Sequence, residues 1–131
     1  MLKIRLKLIF FAGFTMSIIY LLVENQSFDF SFSVIYIFLF YGIVYTLFYG
    51  VFALPIQVLL NKYSDRRKIN IKYLVVYLLA SFIIHLIIYR FFNSYEPFFS
   101  NSQVYLHIFV TSITFWIWDS IVMYKHRDEL I

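Results

Sequence analysis

Four long apolar runs alternate with short polar clusters along the chain. The first covers residues 8–23 and is bracketed by Lys7 and Glu24. A helix of that length rises about 24 Å, so both flanking charges must reach outward to the headgroups. The second run lies within the uncharged stretch 30–61, which would measure about 48 Å as one helix and exceeds a simple crossing. Pro55 lacks an N–H and clashes with the preceding turn, so the pattern predicts a span over 33–54 and a kinked extension to Asn61. The third run, 73–89, sits between Lys72 and Arg90. The fourth, 103–124, precedes a charged tail from Lys125. The pattern therefore predicts an all-α polytopic membrane protein. Its four transmembrane helices form one bundle and one domain over residues 1–131.

Composition sharpens this reading. The 131 residues are 63% apolar, 24% aromatic and 14% charged. Soluble domains carry roughly 45–50% apolar and about 25% charged residues. A chain this short cannot hide so much apolar surface in water. A soluble globular enzyme and a disordered tail are thereby excluded. The absence of cysteine excludes a disulfide scaffold, a thiolate nucleophile and a thiolate metal site. The first apolar run has a basic start, as a signal peptide would. It ends on bulky Ile19-Tyr20-Leu21-Leu22-Val23 without small residues at a cleavage spacing, and is expected to stay as an anchor.

Charge then orients the helices. Lys3, Arg5, Lys7, the second-loop residues Lys62, Arg66, Arg67, Lys68 and Lys72, and the tail residues Lys125 and Arg127 all fall on one side of an even-numbered bundle. Arg90 alone falls on the other, beside Glu24, Asp29 and Glu96. Basic loops stay inside, so both termini are expected to be cytoplasmic and the protein to lie in a bacterial cell membrane.

Small and polar residues mark the faces on which the helices should meet, because apolar contact alone does not drive helices together in lipid. Gly13, Ser17, Tyr20 and Glu24 share a face of the first helix, and Gly42, Thr46, Ala53 and Gln57 one of the second, with Gly50 beside it. Tyr77, Ser81 and His85 recur at four-residue steps in the third, and Ser112 and Asp119 share a face of the fourth. Tyr63, Tyr73, Tyr89, Tyr95, Trp118 and Tyr124 fit interfacial belts. Tyr41, Tyr45 and Tyr49 stack one turn apart and are read as packing rather than as a substrate path.

Three residues could carry chemistry. Asp119 has no oppositely charged neighbour on its own helix face, so its partner must come from another helix, with Lys72, Arg5 and Lys7 in reach; hydration near the interface is the competing reading. His85 and His107 lie toward the same end of neighbouring helices. Two imidazoles are too few for a closed zinc site, and hydrogen bonding within the bundle is the more economical reading. No metal site, cofactor or catalytic residue is expected, since the zinc-protease, serine-hydrolase and phosphate-loop patterns are all missing.

Phe48-Tyr49-Gly50 followed by Pro55-Ile56-Gln57 before a basic loop, together with chain size and span number, resembles an uncharacterised family of small Bacillus-type four-helix membrane proteins, the YwlA/YoaG type. The resemblance implies membrane location and topology and no functional residues. Small multidrug transporters differ, since an essential glutamate deep in their first span has no counterpart beside Gly13, Thr15 and Ser17. The expectation is a non-enzymatic accessory, regulatory or immunity-type protein acting through contacts with a membrane partner, and binding no nucleic acid. The alternative is a small oligomeric transporter or channel built around Asp119, His85 and His107.

Overall fold

In the hydrocarbon layer every backbone N–H and C=O must be satisfied within the protein, which leaves helices as the form these apolar runs can take. The computed structural model describes residues 2–24, 31–63, 70–92 and 102–125. All but the short leads into two helices are helical. Helix α1 spans Leu2–Glu24 and α2 spans Phe32–Phe48. A π-helical turn, Tyr49–Ala53, leads without a break into α3, Leu54–Tyr63. Helix α4 spans Ile71–Phe92 and α5 spans Ser102–Lys125. With α2, the π turn and α3 counted as one column, four helices among the described residues are long and apolar enough to cross a membrane. The 24 residues of α5 rise about 36 Å, against a hydrocarbon core of about 30 Å. Each helix thus carries its flanking charges to headgroup depth.

The π turn has a local cause. Pro55 supplies no N–H to the preceding turn and its ring crowds the carbonyl there. The chain responds by widening, and the Leu54 N–H reaches back to the Tyr49 carbonyl. The widening also aligns side chains. Residues four apart on an α-helix drift by about 40° per step. The over-wide turn takes back part of that drift, so Tyr45, Tyr49 and Gln57 all face α5.

Helices α1 and α5 are the most buried, and they form the central seam. Helix α2 packs on α1, and α4 on α5. The α1–α2 contact depends on the missing side chain of Gly13. A Cβ there would lie 2.6 Å from the Thr46 backbone nitrogen. A Cβ on Gly42 would lie 2.7 Å from the Phe14 ring. Ser17 closes the same seam, its hydroxyl donating to the Phe38 carbonyl at 2.6 Å. Gly50 is less constrained, since a Cβ there would meet the Ile9 methyl at 3.4 Å, an ordinary contact. The core along the seam includes Leu8, Ala12, Met16, Tyr49, Tyr77 and Phe115. Large apolar residues such as Leu39, Ile43, Leu47, Ile83 and Ile87 point outward, toward lipid.

Two of the expected belt residues are core residues instead. Tyr73 is buried, and its hydroxyl donates to the Leu60 carbonyl, tying α4 to α3. Tyr89 is buried against Ile108. A tyrosine near a helix end serves either environment, and here the neighbouring helix is close enough to claim it. Trp118 is half-buried, stacks on Phe11 and donates its indole N–H to Thr15 Oγ1 at 2.9 Å. Tyr124 is exposed, as a belt residue would be, while the side chains of Tyr63 and Tyr95 lie outside the described residues. So do the loop charges Asp29, Arg66, Arg67, Lys68 and Glu96, and the tail residue Arg127.

The seam makes a testable contrast. Gly13→Val should lower the stability of the detergent-solubilised protein by about 1–3 kcal/mol, because the α1 and α2 backbones must separate. Gly50→Ala should leave the thermal midpoint, followed by loss of helicity, close to wild type.

Candidate functional site

The backbones of the α2–α3 column and of α4 stay apart, and polar side chains bridge the space between them and α5. Two clusters result, one toward each end of the bundle.

The first cluster surrounds Asp119, only 3% exposed in the lower half of α5. Its Oδ1 accepts from Gln57 Nε2 on α3 at 2.9 Å, and its Oδ2 accepts from the Tyr77 hydroxyl on α4 at 2.8 Å. Three helices are joined at one carboxyl group. The partner does come from another helix, but it is an amide and a phenol, not one of the expected cations. Nor is the group hydrated at the interface: the neighbouring helices cover it. Arg5 on α1 is close enough to act on it electrostatically. Among the described residues two buried side-chain polar atoms lack partners, Arg5 Nε and Gln57 Oε1. If Asp119 takes up a proton, its carboxyl O–H can donate to Oε1 once the Gln57 amide turns over. The turn leaves the Gln57 Nε2 donors where Oε1 stood, so it exchanges one unpaired atom for another.

The second cluster holds His85 on α4, His107 on α5 and Tyr45 on α2. Its hydrogen-bond directions can be worked out for neutral rings. His85 Nδ1 lies 2.7 Å from the Ser81 carbonyl, which can only accept, so this nitrogen carries the proton. His85 Nε2 must then accept, and it does so from His107 Nδ1–H at 2.9 Å. That leaves His107 Nε2 as an acceptor for the Tyr45 hydroxyl at 2.8 Å. All four ring nitrogens are engaged, and the chain runs in one direction from Tyr45 to Ser81. Ser81 Oγ continues it to Thr111 Oγ1 at 3.3 Å, and Tyr49 donates to the Thr111 carbonyl at 2.9 Å. Among the described residues no third metal-binding side chain joins the two histidines.

Between the clusters lies a cavity of ≈ 30 Å³, bordered by Tyr49, Tyr77, Ser81, Thr111, Ser112 and Phe115 among others. It has room for a water, but its hydroxyls are turned to their own partners and its walls are mostly apolar. The cavity lies between the two clusters. Beside the histidines lies a larger pocket of ≈ 340 Å³, lined by residues of α1, α2, α4 and α5.

The residues singled out in the sequence divide accordingly. Asp119 stands in one cluster and His85 and His107 together in the other. Gly13, Gly42, Thr46 and Ser17 build the α1–α2 seam, which holds α2 and hence Tyr45 in place. Gly50 and Pro55 flank or share the π turn. Sequence reasoning undervalued Tyr45 and did not single out Thr111. The signal was present in the parallel spacings Ser81–His85 and His107–Thr111, each a polar pair four apart on one helix face.

Replacement of Asp119 separates geometry from charge. Asp119→Leu leaves the Tyr77 hydroxyl and the Gln57 amide without partners, each at about 1–3 kcal/mol, and should lower the thermal midpoint sharply. Asp119→Asn can accept from Tyr77 and donate to a turned Gln57, and should fold with a midpoint near wild type. Equal losses in both would show that the carboxylate itself holds the bundle.

Comparison with known proteins gives the chain its relatives. No solved structure matches it. The UPF0715 membrane protein YwlA of Bacillus subtilis is 35% identical over 116 residues, 87% of this chain and 90% of the relative. The UPF0715 membrane protein YoaG of the same organism is 33% identical over 92 residues, 66% of this chain and 63% of the relative. The profile of the uncharacterised protein family UPF0715 matches residues 6–123, nearly the whole helical bundle, and the chain belongs to that family of membrane proteins.

Proposed function

We propose that this protein is a small proton-coupled transporter of the cell membrane, with both termini on the cytoplasmic side. The observation that carries the reading is the pair of hydrogen-bonded ionisable clusters inside one bundle, Tyr45–His107–His85 and Gln57–Asp119–Tyr77, on either side of a small cavity with mostly apolar walls. Ionisable groups within a membrane bundle commonly mark ion or proton routes. A channel needs an unbroken path, whereas a carrier holds its stations apart and joins them by moving helices. The separation favours the carrier. The reading is non-enzymatic: neither cluster combines a nucleophile with a base and an oxyanion site.

Reconstituted vesicles test it. A pH dye trapped inside should report proton movement when weak acids, amines or neutral solutes are offered one class at a time. Wild type should exceed empty vesicles for at least one class, and His107→Ala and Asp119→Asn should abolish the excess. Proton movement equal to empty vesicles for every class, and under an imposed potential, would sink the reading. The accessory or immunity-type role would then lead. Its support is α4, the least buried helix, whose outward flank is broad enough for a membrane partner.

Orientation rests on charge. Lys3, Arg5, Lys7, Lys62, Lys72 and Lys125 stand at the end where α1 starts and α5 finishes, and Arg90 at the opposite end. The chain has no native cysteine, so single replacements report cleanly. In intact cells a membrane-impermeant maleimide should label Ser102→Cys and spare Lys125→Cys. The reverse pattern would invert the topology.

A further inference from the structure

We infer that the pocket beside the histidines binds a small amphipathic weak acid, a carboxylate on an apolar body, together with one proton. This deepens the transport reading by naming its cargo. At ≈ 340 Å³ the pocket falls in the range that takes a drug-sized ligand. Most of its wall is apolar, with Met16, Ile19, Ile88 and Val110 among the lining residues. Its polar lining residues are Tyr45, His85 and His107, which hydrogen-bond to one another, with Tyr20, Tyr89 and Gln103. That shape suits a ligand with an apolar body and one polar head.

The hydrogen-bond directions decide the charge of that head. In the neutral pair Tyr45 donates to His107 Nε2, and no ring nitrogen is left over. A proton entering the pair must therefore settle on His107 Nε2. The Tyr45 hydroxyl then turns, accepts from Nε2–H, and directs its own proton elsewhere. Tyr45 lines the pocket, so the pocket receives that donor. The proton also brings a positive charge into a space where the described residues place no anion. The other titratable lining groups are Tyr20 on α1 and Tyr89 on α4, and among the described residues no Asp, Glu, Lys or Arg lines the pocket. An unpaired charge in such a place is costly, and a carboxylate that arrives with the proton cancels it. A cationic amphiphile would instead meet a like charge. The acid and the proton enter as one neutral pair and no bond is broken.

Decanoate is a suitable probe, with the protein held in nanodiscs and binding measured at equilibrium, independently of flux. Binding should be saturable and should strengthen as pH falls, because one proton enters with each acid. Both Tyr45→Phe and His107→Phe should weaken it about tenfold or more, as expected for losing a hydrogen bond to a charged group. Leu106 lines the pocket and is exposed, so Leu106→Trp fills the space without disturbing the core and should abolish binding. Three results would overturn the inference. Binding could survive Leu106→Trp. Decyltrimethylammonium could bind as well as decanoate. Native mass spectrometry could show a phospholipid, lost in Leu106→Trp, holding the pocket in place of the free acid. Decanoate binding without solute-driven proton movement would uphold this site and refute transport. Proton movement with another solute and no decanoate binding would do the opposite.

Discussion

The hydrocarbon layer offers no partner to a polar group, and the interior of this bundle is organised around that constraint. A carboxyl group carried into such a layer must find donors from the protein or remain expensive. Asp119 finds two, from Gln57 on α3 and Tyr77 on α4. In doing so it fixes the rotation of both helices relative to α5. The hydroxyls follow the same rule at smaller cost. Thr15, Thr46, Thr111, Ser112 and Ser120 each donate to a carbonyl one turn back on their own helix, which leaves few polar atoms open.

Close backbone approach and polar bridging divide the work. Where glycine permits contact, as at Gly13 against Thr46, the helices touch and little space remains. Where the helices stand apart, as do the α2–α3 column and α4, tyrosine, histidine and glutamine reach across. That separation leaves the two cavities. The π turn at Tyr49–Ala53 belongs to both regimes: it accommodates Pro55 and keeps Tyr45, Tyr49 and Gln57 directed at α5. A proline effect local to one helix thus sets which side chains meet across three.

The stripe Tyr77, Ser81 and His85 was legible because four-residue steps keep side chains on one helical face whatever the neighbours are. Asp119 stood out for the same reason, a lone acid on an apolar helix. Its partners were not legible. A cation is the obvious choice by charge, yet Gln57 and Tyr77 occupy the positions at hydrogen-bond distance, and Arg5 acts from farther away. The misassigned tyrosines, Tyr73 and Tyr89, show the same limit. An amphipathic ring near a helix end suits the headgroup layer or a neighbouring helix equally well, and only the neighbour's position decides.

The sequence by itself determined the four membrane helices, because hydropathy and length act on each segment alone. It determined the candidate ionisable residues and the absence of cysteine chemistry for the same reason. Only the tertiary structure decided that His85 Nε2 meets His107 Nδ1, that Tyr45 completes the chain, and that a pocket opens beside them. Those outcomes depend on the rotation and depth of one helix against another. In lipid, that register is set by a few close contacts and hydrogen bonds between residues far apart in the chain, which no single segment encodes.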